Sequence, residues 1–449
     1  MKFPKNERSS PTETYEAPAY LTRALNEKPK VTRAEQWKVW FACALQAFWV
    51  MGINQSFGIF QAYYGSDKAV KEGVIQPEDQ MERAGIAAIQ SLGNGGIVAV
   101  FAIFFYPYLP CIGRHIRTLC FASTVLAASG FAAAAACNNI WLLVVTQGLL
   151  VGIGNGFFLN VLTAILPEYF GRRSGAAQGA AAAFGCVGAV ILSLVLHRML
   201  DSVGSRWTLG TLSIASMCIL GSSSYLAQPP RKCHRRSAKL VGWKTFKNPT
   251  FTLLFLANFI HPMTVAIPTT FGPEFSKALG YSGNMASIIL AVSSAVGIPS
   301  RFLLGWAADF VGHNNMLFLA IFIFALSTLI MWLPSALADS GAVWMVYKVV
   351  YGCVFGTFTA LINSVQKGHF GDELYYPYNG AMTSIRGIGY VVGVPVAGLL
   401  VSRAKGSELH GSDFVTPIAY TGIFLMVSVL CLAGVRYLDA KKNGWKWVK

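Results

Sequence analysis

Twelve apolar stretches divide this chain, the first at Val39–Tyr63 and the last at Phe414–Val435. A hydrocarbon core about 30 Å thick is crossed by about 20 helical residues, and each stretch is close to that length. In lipid the backbone must satisfy its own hydrogen bonds, so the stretches are predicted to be helices. A transmembrane β-barrel would show alternating segments of about ten residues, which the sequence does not have. Only 12% of the residues are charged and 54% are hydrophobic, which excludes a water-soluble fold of this length. The formal net charge of +16 suggests no nucleic-acid groove, because the cations lie mainly between the apolar runs. The nine cysteines are scattered and form no CxxC pair or His/Cys cluster, so neither a disulfide framework nor a metal or other cofactor is expected. Met1 to Ser10 is polar and lacks an apolar core, so no cleavable signal peptide is expected.

The fold class that follows is an all-α membrane protein of twelve transmembrane helices in two six-helix halves. An even number of spans puts both termini on one side, and Lys and Arg concentrate in the tails and even-numbered connections, which predicts cytosolic termini and a plasma-membrane protein. The expected organisation is a disordered tail over 1–37, a first half over 38–227, a basic connection over 228–249, a second half over 250–436 and a tail over 437–449. The central connection carries Arg231, Lys232, Arg235, Arg236, Lys239, Lys244 and Lys247 without an acidic residue, as expected of a topology signal against anionic lipid headgroups. An internal repeat supports the halves: Gly152 and Gly156 in the fourth span answer Gly352 and Gly356 in the tenth. Phe170-Gly171 answers Phe370-Gly371 at the same spacing, and Gly113 answers Gly312 within one residue of it. Parallel repeats of this kind place a substrate site between the halves near the bilayer midplane.

Ionisable residues inside a span are costly and therefore functional candidates. All the acidic residues fall in tails, connections or span ends, with Glu168 and Asp309 nearest the core, so no buried carboxylate is expected as a proton relay. The candidates inside spans are cationic: Arg301, Lys348, Arg386 and His261. Lys348 and Arg386 lie near enough to span ends to snorkel to the headgroups instead. Arg301 is about 12 Å from the end of its span and is the foremost candidate for an anionic substrate group. Gly297 and Gly305 share its helical face, leaving room for a docking carboxylate or for close helix packing. His261 precedes Pro262 and shares a face with Asn258, as a proton carrier or as a partner for a carbonyl that the proline frees. Asn54, Gln55 and Ser56 in the first span, and Gln90 and Asn94 in the second, are amides or hydroxyls suited either to a wet cavity or to bridging helices. After the eighth span, Gly305-Trp-Ala-Ala-Asp309-Phe-Val-Gly312 offers Asp309 as a gating carboxylate or a solvated turn residue. Glu168 with Arg172 and Arg173 admits the same two readings.

These residues carry a resemblance. Twelve spans, a basic central connection and the GxxxDxxG pattern at Asp309 resemble the major facilitator superfamily. Asn54-Gln-Ser-Phe-Gly-Ile-Phe-Gln-Ala-Tyr63, Tyr169-Phe-Gly-Arg-Arg173, Ala177-Gln-Gly179 and the Arg301 segment resemble its monocarboxylate-transporter-like group in fungal form. The resemblance implies a carrier and not an enzyme. In proton-coupled members an acid one turn before the eighth-span arginine, and a lysine before the first-span serine, act with that arginine; here those positions are Gly297 and Gln55. The superfamily's acid after the second span is replaced by Pro110. The resemblance therefore implies a small organic acid or acid-derived metabolite, moved by facilitated diffusion or another coupling route, as an efflux carrier for a fungal specialised metabolite. The readings beside it are an uptake carrier for a monocarboxylate or vitamin, and a non-transporting nutrient sensor. The expected partners are a small organic anion, membrane lipids and a coupled proton, with no nucleic acid.

Overall fold

The computed structural model describes residues 31–78, 82–93, 99–100, 102, 115–170, 174–228, 241–401 and 409–444. Among them ten helices are long and apolar enough to cross a membrane, including Ile116–Ala134, Gly283–Ala308, Pro377–Val401 and Gly411–Lys442. The first span runs as Arg33–Gln46, a π-helical turn Ala47–Met51 and Gly52–Tyr64, and the second begins as Arg83–Gly93. The chain enters the first span through a capping box, in which Thr32 and Glu35 satisfy each other's backbone N–H groups. The helix thus begins at Arg33, upstream of the apolar stretch itself. The expected basic run from Arg231 to Lys239 lies outside the described residues, as does most of the expected N-terminal tail.

Two hydrophobic clusters hold the molecule together. One joins residues between Val39 and Ala227, and the other residues between Phe251 and Val435, with Leu290 and Ala87 as the crossovers. The repeated glycines occupy equivalent places in them. A Cβ on Gly152 in the fourth span would run into the Leu92 carbonyl of the second, and a Cβ on Gly352 in the tenth into the Ser293 carbonyl of the eighth. Both positions need glycine because two helix backbones touch there.

Three of the C-half helices are interrupted. The seventh span runs Pro249–Val265, Ile267–Thr270 and Gly272–Ala278, with breaks around Ala266 and Phe271. Pro262, Pro268 and Pro273 account for this, each removing one backbone donor from the ladder. The tenth span stops after Val354 and resumes at Thr357 through Gly356, whose φ of 85° only glycine adopts without strain. The ninth contains a π-helical turn at Thr328–Trp332. Gly371, at φ 70°, separates the tenth span from the eleventh.

The face that carries the first and last helix ends is the terminal face, and the opposite one is the distal face. At the distal end the two halves touch. Gly58 lies against the Thr269 and Thr270 carbonyls, Thr270 hydrogen-bonds Gln90, and Gly398 packs on the Arg83 and Ala84 backbone.

Candidate functional site

The break in the tenth span is where the cationic side chains gather. Arg301, on the eighth span, reaches across the seam between halves and donates from Nη1 to the Ala182 carbonyl of the fifth span at 2.8 Å. Its guanidinium lies against Gly356, where a Cβ would come within 3.1 Å of Nε, and stands 6.0 Å from the Phe355 ring centre. Glycine at 356 therefore serves both the turn and the arginine. Arg301 Nε is buried without a hydrogen-bond partner, and no ion pair to Arg301 is present among the described residues. A half-buried guanidinium with an unused donor and no counter-charge among the described residues suits an incoming carboxylate.

Two residues past the glycine, Phe358 carries the second cluster. His261 stacks on the Phe358 ring with centroids 4.0 Å apart and planes 11° from parallel. The Arg386 guanidinium stands 5.7 Å from the same ring and donates from Nε and Nη2 to Asn258 Oδ1, at 3.2 and 2.6 Å. Asn258 in turn donates to the Leu254 carbonyl, which fixes its amide. His261 Nδ1 is buried and unbonded. The close approach of Gly389 and Gly393 to Phe259 and Met263 makes this cluster possible, since it brings the eleventh span down onto the seventh. The broken tenth helix thus links Arg301, Arg386, His261 and Asn258 through a few residues of backbone. Half-helix ends near the middle of a transport protein are suited to binding polar groups.

Lys348 is neither snorkelled nor exposed. It is 1% exposed and donates to the Pro268 carbonyl at 3.1 Å, with the Trp344 and Tyr351 rings 5.4 and 4.9 Å away. It braces the interrupted part of the seventh span, accepting cation–π stabilisation in exchange for water. Gly297 is a packing position, as a Cβ there would meet Cys186 Sγ at 3.2 Å and the Gly352 carbonyl at 3.3 Å; Gly305 has open space beside it.

The first half contributes amides. Gln90 donates to the Asn54 carbonyl at 3.1 Å, and Asn54, Gln90 and Gln147 line one small cavity with Phe57 and Phe131. Gln147 sits in a π-helical turn, Val144–Leu150, and accepts from Tyr64 at 2.7 Å. Gln55 is buried at 8% exposure beside Ser56, whose hydroxyl donates to the Ala189 carbonyl of the fifth span. Gln147 and Phe358 were not singled out in the sequence; the π turn and the Gly356 break that recruit them have no local signature beyond the glycine. Of the gating candidates, Arg172 and Arg173 lie outside the described residues, as do the side chains of Glu168 and Asp309.

The expectation that no carboxylate is buried is corrected here. Glu274, in the last helical piece of the seventh span, is buried and ion-paired with Arg83 of the second span, Oε1 to Nε at 2.8 Å, with side chains 7% and 4% exposed. Counted by sequence, both residues belong to connections. The seventh span, stepped by its prolines, carries its end back under the first half, so a carboxylate beyond the apolar stretch still ends inside protein. The run Phe271-Gly-Pro-Glu274 after two other prolines is the signal available in the sequence.

The model of the Major Facilitator Superfamily matches residues 39–394. The Gibberella fujikuroi fujikurins efflux protein is 24% identical, over 94% of this chain and 86% of its own length. A riboflavin transporter of Saccharomyces cerevisiae is 22% identical, over 92% and 80%. Among solved structures a D-xylose-proton symporter superposes with a TM-score of 0.66 at 12% identity, covering 92% of this chain and 98% of that one. At that identity the likeness concerns the fold.

Proposed function

Because the chain belongs to the Major Facilitator Superfamily and is a multi-pass membrane transporter, we propose that it carries a small organic acid or acid-derived metabolite by alternating access, as an efflux carrier for a fungal specialised metabolite. The observation that carries this reading is Arg301: a guanidinium in the seam between halves, with an unbonded Nε and the neutral Ala182 carbonyl as its hydrogen-bond partner. A substrate carboxylate takes the place of the Ala182 carbonyl and gains a charge-assisted bond that a neutral solute does not. Arg386, Asn258 and His261 around Phe358 provide a flat, polar-edged surface for the rest of the molecule. The relationship to an efflux protein supports the direction.

On this reading the protein belongs to the monocarboxylate-transporter-like group, lies in the plasma membrane, has both termini in the cytosol and turns its distal face outward, as the distribution of Lys and Arg suggests. Asp309, Glu168, Arg172 and Arg173 remain the proposed terminal-side gate. The second reading, uptake of a vitamin or monocarboxylate, draws its support from the relationship to a riboflavin transporter; direction is what separates the two.

The test is flux in reconstituted vesicles with a panel of aromatic and aliphatic carboxylic acids and their methyl esters. Wild-type protein is expected to move acids in preference to the matching esters, and Arg301→Ala to lose that flux at normal expression. Wild-type flux in Arg301→Ala, or equal flux of acid and ester, removes the proposal.

A further inference from the structure

Where the first and fifth spans of one half meet the seventh and eighth of the other, the distal face carries a cavity of about 200 Å³. A single water needs about 10–15 Å³ of such space, so the cavity has room for an organic molecule. Its floor is the closed seam, since Gly58, beside the lining residue Ile59, packs on the Thr269 and Thr270 carbonyls. Arg301 lies about 27 Å further along the eighth span than Gly283, which lines the cavity, at a rise of about 1.5 Å per residue. The cavity is therefore separate from the cluster around Phe358.

The polar groups of its wall are committed to one another, with one exception. Tyr63 donates to Glu72, Ser66 to the Tyr63 carbonyl at 2.6 Å, and Ser287 to the Asn284 carbonyl at 2.8 Å. Lys68 donates to the Leu200 and Asp201 carbonyls at 3.0 and 2.8 Å, and so covers the negative end of the fifth span. The Asp201 carboxylate lies 3.5 Å from Lys68 Nζ and 3.3 Å from His197 Nε2. Glu274, one turn before Lys277 on the same helix, is held by Arg83 at 2.8 Å. The exception is Lys277, which is exposed and has no hydrogen bond or ion pair to its ammonium among the described residues. A Cβ on Gly283 would stand 2.9 Å from His197 Cε1 and 3.6 Å from Lys277 Cε, so the glycine leaves open the space between those side chains. The eighth span begins at that glycine and turns the positive end of its dipole to the cavity. Two lysines against one aspartate leave the wall net positive, and Ile59, Ala62, Leu200 and Pro273 make the rest of it apolar.

We propose that this cavity is a second binding site, for a small organic carboxylate, with Lys277 as its ion-pair partner. The carboxylate accepts charge-assisted hydrogen bonds from the unused ammonium donors, and the hydrocarbon part of the acid lies on the apolar wall. A bare inorganic anion would leave that wall and most of the volume unused, and a cation would meet Lys68 and Lys277. The seam beneath is closed, so the acid is held at the distal opening while Arg301 is out of its reach. That this acid is the transported one rests on the function proposed above; the site is then where the solute pauses as it passes the distal opening.

Acetylation footprinting tests the site without flux. Protein in detergent is treated with N-hydroxysuccinimidyl acetate in the presence of benzoate, methyl benzoate or chloride at matched ionic strength, and the modification of each lysine is read by peptide mass spectrometry. Benzoate is expected to slow modification of Lys277 in a saturable way, and methyl benzoate and chloride to leave it unchanged. Lys441, exposed on the terminal face, is expected to react alike in all three. The protection of Lys277 is expected to persist in Arg301→Ala, or in Arg301→Gln should the alanine variant not fold, because the outer site works without the inner one. Protection that is absent, that chloride or the ester reproduces, or that is lost with the arginine overturns the proposal. Protection that persists while acid and ester move equally in vesicles removes the proposed function and leaves this site; acid-selective flux without protection does the reverse.

Discussion

The two halves share the spacing of their glycines but use it differently. In the fourth span Gly152 lets the second span approach, and the helix continues from Val151 to Phe170. In the tenth span Gly352 plays the same part against the eighth, but the helix breaks four residues later at Gly356. The first half lines its interior with amides, Asn54, Gln90 and Gln147. The interrupted half collects guanidinium groups, Arg301 and Arg386, around the break. Close packing is the shared use of the repeat, and the break is what gives one copy a charged site. A helix that continues has no free backbone groups and no kink to shelter a cation; one that stops supplies both.

The comparison is broken most directly at the charges. Arg301→Ala should weaken uptake of a carboxylate probe by about 2–3 kcal/mol, roughly 30- to 150-fold, since a hydrogen bond to a charged group is lost. Gln147→Leu and Gln90→Leu remove neutral bonds worth about 0.5–1.5 kcal/mol, and should change the half-saturating concentration by roughly two- to tenfold. Equal effects in the two halves, measured as initial flux against concentration, would mean that the charged half has no privileged role in recognition.

The glycines sharpen the same contrast on the side of stability. Gly152→Ala and Gly352→Ala each drive a methyl into a carbonyl, and both should lower the thermal midpoint alike, with about 1–3 kcal/mol of overpacking. Gly356→Ala forces an L-residue into the left-handed region, at about 1–2 kcal/mol, and crowds Arg301 as well. It should therefore reduce flux out of proportion to its loss of stability, whereas the packing pair should reduce the two together. Thermal unfolding in detergent alongside vesicle flux distinguishes these outcomes.

Span length, the two-half architecture and the placement of Arg301 away from its span end were readable in the residues because the bilayer imposes one length and one hydrogen-bonding rule on every crossing. Gly152 and Gly352 were readable as a repeat, and their shared packing role follows from it. What was not readable depends on how broken helices fold back. Lys348 looks close to a span end by count, yet the break near Phe271 leaves the Pro268 carbonyl open to it and holds it inside. Glu274 counts as a loop residue, yet the stepped seventh span returns it to the seam. Phe358 has no signal of its own, because its role comes from His261 and Arg386 arriving from two other spans. Prolines at 262, 268 and 273 announce that a helix is interrupted but not where its end comes to rest.

The smallest expected effect is at His261, beside the Phe358 ring. His261 lies in the charged half, stacked on Phe358 and 2% exposed in this conformation. His261→Gln keeps a planar side chain on the ring and should change flux by less than about threefold, in line with a packing contact of under about 1 kcal/mol, while leaving the shape of the flux–pH curve as in the wild type. A flux–pH curve that flattens in His261→Gln would place a coupling proton in the substrate cluster, and would make the charged half the seat of coupling as well as of recognition.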